Sequence, residues 1–149
     1  MTNEETKFLH SSFLILNSKD KMFRFEHVAF NVKDVHAVVK WYCDTLGLVI
    51  VRQQAVAPFM TFLADPDKNM MFEFYQQDTV VGDYASLPPF TFHVAFAVDD
   101  MDGTRQKWIA AGGSAAGEVN TTPTGDKLAF IRDPWGLTLK LVQRAIPML

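Results

Sequence analysis

A single cysteine, Cys43, stands in 149 residues. No intrachain disulfide can form, so nothing in the chain asks for an oxidising compartment. Basic runs are missing as well, and the formal net charge is −3. That balance argues against nucleic acid and anionic membrane as partners. The longest apolar runs are far too short to span a bilayer. Gly103 and Gly112-Gly113 lack the spacing of a phosphate-binding loop, so no nucleotide site is read, and no Ser-His-Asp arrangement is suggested. Residues 1–10 lack the basic start of a signal peptide. The short run Phe13-Leu14-Ile15-Leu16 is followed by Lys19, Asp20 and Lys21 instead of a small-residue cleavage site, and a cytoplasmic protein is expected.

What is plentiful is apolar mass. Hydrophobic residues make up 48% of the chain, 13 of them Phe, enough for a sizeable core in one ordinary domain or in two small modules that share one. The chain also repeats itself. Residues 27–32 read His-Val-Ala-Phe-Asn-Val and residues 93–98 read His-Val-Ala-Phe-Ala-Val, five matches in six, 66 positions apart. Asp65-Pro66 returns as Asp133-Pro134 at an offset of 68, and Phe72–Gln76 returns as Leu139–Gln143 at an offset of 67. Three landmarks in one order indicate a duplicated module; a solenoid would need more copies.

Each copy reads as strand, helix and three strands. In the first, 26–32 is a strand, and 34–46 is a helix with Asp34 as N-cap, Val35, Val38, Val39, Tyr42 and Leu46 on one stripe, and Gly47 as the stop. Strands near 48–54, 58–63 and 70–76 follow. In the second, 91–98 is a strand and Asp99 or Asp100 caps a helix ending at Gly112-Gly113. Strands near 115–121, 127–132 and 137–143 complete it. The organisation expected is a leader or packing arm over 1–22 with an apolar patch from Phe8 to Leu16, a first module over 23–76, a linker over 77–90 carrying Gly82, Pro88 and Pro89, a second module over 91–144, and a tail over 145–149.

Side chains alternate across a strand. His27, Ala29 and Asn31 share one face; Val28, Phe30 and Val32, branched and aromatic, share the other and must cover the helix. His93, Ala95 and Ala97 oppose Val94, Phe96 and Val98 in the same way. In the last strands Phe72 and Phe74 face the helix and leave Met71, Glu73 and Tyr75 opposite, while Leu139 and Leu141 leave Thr138, Lys140 and Val142. Four polar side chains therefore occupy equivalent places on the concave side: His27, Glu73, His93 and Lys140. Two imidazoles and a carboxylate suit a divalent first-row metal. Asn31 points to the same side and is a candidate substrate contact. Tyr75 would line the pocket or simply pack in the sheet, and Trp135 would close over the mouth or stand exposed in its turn. Glu118, Asp126 and Asp133 are weaker ligand candidates, Asp133 being better placed to form the turn before Pro134. Cys43 reads as inert core, His36 as a solvated helix residue, and His10 lies outside the repeat.

The pattern His-Val-Ala-Phe-x-Val-x-Asp, then a helix with Trp41-Tyr42 before Leu46-Gly47, then Asp-Pro-x-Gly and an apolar strand with one acid, resembles the vicinal-oxygen-chelate superfamily, which includes glyoxalase I, bleomycin-resistance proteins and extradiol dioxygenases. The resemblance covers about residues 25–144. It implies an α+β fold of two βαβββ modules forming an incomplete barrel around a central cup, with metal ligands on the first and last strands of each module. Carried over by position these are His27, Glu73 and His93, and then Lys140, where such enzymes usually carry Glu. A protonated ammonium has no lone pair for a metal. Two readings follow. In one, His27, Glu73 and His93 hold a divalent ion (Zn, Ni, Mn or Fe) with open positions, and Lys140 and Glu73 assist a lyase or isomerase step on a small oxygenated substrate. In the other, Lys140 pairs with Glu73, and the protein is a metal-free small-molecule binder of the bleomycin-resistance kind. The resemblance also implies a homodimer, and glyoxalase I itself is less expected because its site resembles two Glu and two His.

Overall fold

The computed structural model describes residues 23–79 and 81–148; the patch from Phe8 to Leu16 lies outside them. The first half runs β1 (His27–Asn31), α1 (Val35–Leu46), β2 (Val49–Gln53), β3 (Thr61–Ala64) and β4 (Met71–Tyr75). The second runs β5 (Val94–Ala97), α2 (Met101–Ala110), β6 (Ser114–Ala115), β7 (Asn120–Thr121), β8 (Lys127–Arg132) and β9 (Thr138–Gln143). Sheet A has the order β1-β4-β3-β2, and sheet B has β5-β9-β8-β6 with β7 also paired to β8. In each sheet the first strand lies parallel to the last, Ala29 beside Glu73 and Ala95 beside Lys140. The α+β class and the duplicated strand–helix–strand plan are as the sequence predicts. The two sheets remain separate and no closed barrel forms among the described residues.

Both helices begin by the same device. Asp34 accepts the amide of Ala37 at 3.0 Å and Asp100 that of Gly103 at 3.0 Å, each satisfying one donor that the first helical turn leaves free. A second free donor is met from the end of the last strand, where Gln76 accepts from Val35 N at 3.4 Å and Gln143 from Met101 N at 2.9 Å. Gly47 ends α1 at φ 75°, a left-handed conformation that costs a β-carbon-bearing residue about 1 kcal/mol.

The expected strand near 115–121 is two short strands. Gly117, at φ 107°, turns the chain outward between them, and Arg105 donates to its carbonyl at 3.0 Å. The strand expected from residue 91 starts at Val94, because Pro88 and Pro89 have no amide to give a ladder and Thr91 N closes a turn on Pro88 O. No described helix is long and apolar enough to cross a membrane.

One core serves both halves. Phe30, Phe72, Phe74 and Leu63 of sheet A join Val94, Ala129, Ile131, Leu139 and Leu141 of sheet B in a single buried cluster with Val35, Val38, Val39, Trp41 and Tyr42 of α1. Each Val, Leu, Ile or Phe side chain among them contributes about 1.5–3 kcal/mol on full burial. The halves meet through Phe72 against Phe96 at 5.9 Å between ring centroids and Trp41 against Trp135 at 6.3 Å. Trp41 Nε1 donates to Ala111 O at 2.8 Å, and the Tyr42 hydroxyl donates to Asp133 Oδ2 at 2.8 Å. The helix-covered sides of both sheets thus face a common centre, and their other sides are turned away from it.

Candidate functional site

Strand alternation sets what each open face displays. On sheet A, Glu73 is largely buried while His27 is about one-third exposed, and His27 Nε2 lies 3.2 Å from Glu73 Oε2. Parallel pairing sets Ala29, not His27, directly beside Glu73, so the contact is diagonal across a residue small enough to leave room. His27 Nδ1 lies 3.2 Å from Glu26 Oε2. With its proton on Nδ1 toward Glu26, a neutral His27 ring turns its Nε2 lone pair toward the Glu73 carboxylate. Two lone pairs so close call for a proton or a cation between them. Phe62 stands edge-on to His27 at 5.5 Å.

Sheet B repeats the arrangement with one change of charge. His93 Nδ1 meets Pro89 O at 2.8 Å; a carbonyl only accepts, so Nδ1 carries the proton and Nε2 keeps its lone pair. Phe130 stands edge-on to His93 at 5.3 Å, as Phe62 does to His27. Lys140 replaces the carboxylate, its Nζ 5.6 Å from the centre of the Phe130 ring. Both histidines hold Nδ1 against an acceptor, as second-shell partners do for metal-binding imidazoles; Nε2 of His27 then faces the Glu73 carboxylate, and Nε2 of His93 has no hydrogen-bond partner among the described residues. The donor chemistry of His27, Glu73 and His93 fits a divalent first-row ion. One chain does not gather them: no three His, Cys, Asp or Glu side chains converge to hold a metal among the described residues.

The other predicted residues fall elsewhere. The Asn31 amide is engaged by the linker, accepting from Gln77 N at 2.9 Å and donating to Thr79 Oγ1 at 3.2 Å, and Tyr75 sits half-buried beside it in register. Trp135 packs against the shared core and lines a cleft of about 240 Å³ with Val32, Lys33 and Tyr84. Asp126 accepts from Ala145 N at 2.9 Å and pairs with Arg144 at 2.8 Å, which lowers its pKa, the backbone bond first. Glu118 is exposed in the loop between β6 and β7. Asp133 is buried in its turn, accepting from Trp135 N at 2.9 Å and Leu137 N at 2.8 Å besides the Tyr42 hydroxyl. Burial pushes its pKa up against the lowering effect of those bonds, and burial likewise pushes the Tyr42 phenol well above its ordinary value. Cys43 is half-buried, its thiol raised by burial and then by Asp44. Phe62, Phe130 and Glu26 escaped the sequence reading. The first two were legible: Phe62-Leu63 before Asp65-Pro66 returns as Phe130-Ile131 before Asp133-Pro134, at the offset of 68 already noted.

Comparison with known proteins agrees with this architecture. A probable lactoylglutathione lyase from Vibrio parahaemolyticus is 25% identical over 80% of this chain and 90% of its own length. A putative lactoylglutathione lyase from Brassica oleracea is 27% identical over 85% of this chain, which spans 46% of that relative's length. Among solved structures, a glyoxalase family protein from Bacillus cereus superposes with a TM-score of 0.72 at 19% identity, covering 85% of this chain and 97% of that one. A glyoxalase I variant from Zea mays gives 0.66 at 25% identity, covering 83% of this chain and 46% of the other. The family model of the Glyoxalase/Bleomycin resistance protein/Dioxygenase superfamily matches residues 24–141, and the chain belongs to that superfamily.

Proposed function

We propose that the protein is a divalent-metal-dependent lyase or isomerase acting on a small oxygenated substrate, in a cup that the open face of sheet A in one copy forms with the open face of sheet B in a second. The observation that carries this reading is the matched pose of the histidines: each holds Nδ1 against an acceptor, and Nε2 stands beside the Glu73 carboxylate in His27 and without a hydrogen-bond partner among the described residues in His93, on faces that one chain turns away from each other. Two copies related by a twofold axis would bring His27 and Glu73 of one against His93 and Lys140 of the other, twice over.

In that cup His27, Glu73 and His93 would hold the ion, with Glu26 and the Pro89 carbonyl keeping the rings in the ligating tautomer. When bound, a divalent ion such as Zn, Ni, Mn or Fe supplies Lewis acidity to neighbouring substrate oxygens. Glu73, shielded from water by its burial, would accept a proton from substrate, and Lys140 would donate a hydrogen bond to a developing oxyanion. Phe62 and Phe130, each edge-on to a histidine, would narrow that cup and help to exclude water. The lactoylglutathione lyases among the relatives make that reaction the first to assay.

Metal analysis after purification without chelator is the test, together with thermal unfolding in added Zn, Ni, Mn and Fe(II). A stoichiometric ion and a rise in Tm are expected. His27→Ala and His93→Ala chains should each lose the ion, and refolding the two together should restore one intact cup per mixed dimer. Absence of metal and of any Tm gain would instead favour a metal-free binder, in which Glu73 meets Lys140 of the second copy as a neutral pair.

A further inference from the structure

We infer that the half of the site built on sheet B selects an aromatic carboxylate, with Lys140 as the anion contact and Phe130 and Phe90 as the aryl wall. This rests on the reading above that the open faces form a ligand site, and it adds the class of ligand. Lys140 is half-buried on β9 and makes no ion pair with a carboxylate among the described residues. Its Nζ lies instead within 5.6 Å of the Phe130 centroid, so the cation is held over an aromatic edge of the cup and not drawn out to solvent. Phe90 meets Phe130 edge-on at 5.1 Å, yet 85% of Phe90 is exposed. A large ring left in water beside a second ring, a histidine and a free ammonium is a surface one ligand can satisfy: a planar apolar body against the rings and a negative end on the amine. Sheet A differs at the equivalent position, where its charge is the Glu73 carboxylate, which would repel such an anion.

Lys140 also changes what the whole cup tolerates. With a carboxylate there, an acid substrate would meet two negative side chains; with an ammonium it meets one of each sign. A 2-oxo or 2-hydroxy aryl acid carries its carboxylate and its vicinal oxygen on adjacent carbons, so that the amine would take the carboxylate while an ion held by the histidines would take the oxygen.

The test is a chemical-shift titration of the ¹⁵N-labelled protein with phenylglyoxylate, benzoate, benzyl alcohol and acetate, run on chelator-treated protein and again with Zn added. Phenylglyoxylate and benzoate are expected to shift resonances of β8 and β9 and to bind at least about tenfold more tightly than benzyl alcohol or acetate. Lys140→Gln should remove the preference over benzyl alcohol. Phe130→Leu should weaken both aryl acids by about fivefold while leaving acetate unchanged. Lys140 is partly exposed, so its variant should fold, which unchanged amide dispersion will verify. Aryl acids that bind no better than benzyl alcohol, or a Lys140→Gln protein with the preference intact, would overturn the inference even if Zn binds. Aryl-acid binding that needs Lys140 in a protein with no metal affinity would keep it and remove the metal reading instead.

Discussion

At one register position sheet A carries Glu73 against His27, and sheet B carries Lys140 against Phe130, which in turn touches His93. The frames around them are nearly interchangeable: parallel outer pair, aspartate cap, glutamine brace at the helix start, phenylalanine edge-on to histidine. The helices differ more. α1 buries Val35, Val38, Val39, Trp41, Tyr42 and Thr45 and supplies the contacts to the other half, whereas α2 buries only Met101 and Trp108. Duplication thus preserved what holds a histidine on an open face. It left free the charge beside that histidine and the division of packing between the helices.

The comparison can be broken most severely at the histidines. His27→Ala and His93→Ala should each lower divalent-metal affinity by more than about 100-fold, read by calorimetry, since a lost ligand exceeds the loss of a supporting partner. A drop confined to His27→Ala would show that sheet B takes no part in holding the ion.

Next comes the repeated Asp-Pro turn. Asp133→Ala should cost about 3 kcal/mol in urea unfolding, because the buried Tyr42 hydroxyl, the buried Leu137 amide and the part-buried Trp135 amide lose their acceptor. Asp65→Ala, on the first turn, where Asp65 caps Asn69 N near the surface, should cost about 1 kcal/mol. Asp133 also sets a pH dependence. Its folded-state pKa is raised, chiefly by burial, so the folded protein holds this proton more tightly than the unfolded chain does. Its contribution to stability is therefore greatest in acid and declines as pH rises through the window above its ordinary value, and Asp133→Asn should flatten that decline.

Two smaller effects sharpen the contrast. Glu26→Gln should weaken metal binding by about tenfold, because sheet A orients its histidine with a side chain where sheet B uses the Pro89 carbonyl. Gly47→Ala should cost about 1 kcal/mol by denaturation, the strain of a left-handed residue at the end of α1.

Much of this was legible in the residues. The repeat gave the two halves their plan, and alternation placed His27, Glu73, His93 and Lys140 on the faces opposite the helices. Asp34, Gly47 and Asp133 do what their local chemistry suggests. Glu26 was not legible, because a contact between neighbouring side chains depends on rotamers that alternation does not fix. The partners of Asn31 and Trp135 could not be read from the strand pattern alone. The linker returns to bond Asn31, and the turn at Trp135 docks on Trp41 of the other half.

By itself the sequence determined which residues share a face, since that follows from a two-residue period and from the need to cover a helix with Phe30, Phe72, Leu139 and Leu141. The relative placement of the two faces was decided only by the tertiary structure. Tyr42 bonding to Asp133 and Phe72 packing on Phe96 draw the helix-covered sides together, because burying both there makes one core out of two. His27 with Glu73, and His93 with Lys140, are left on faces turned outward.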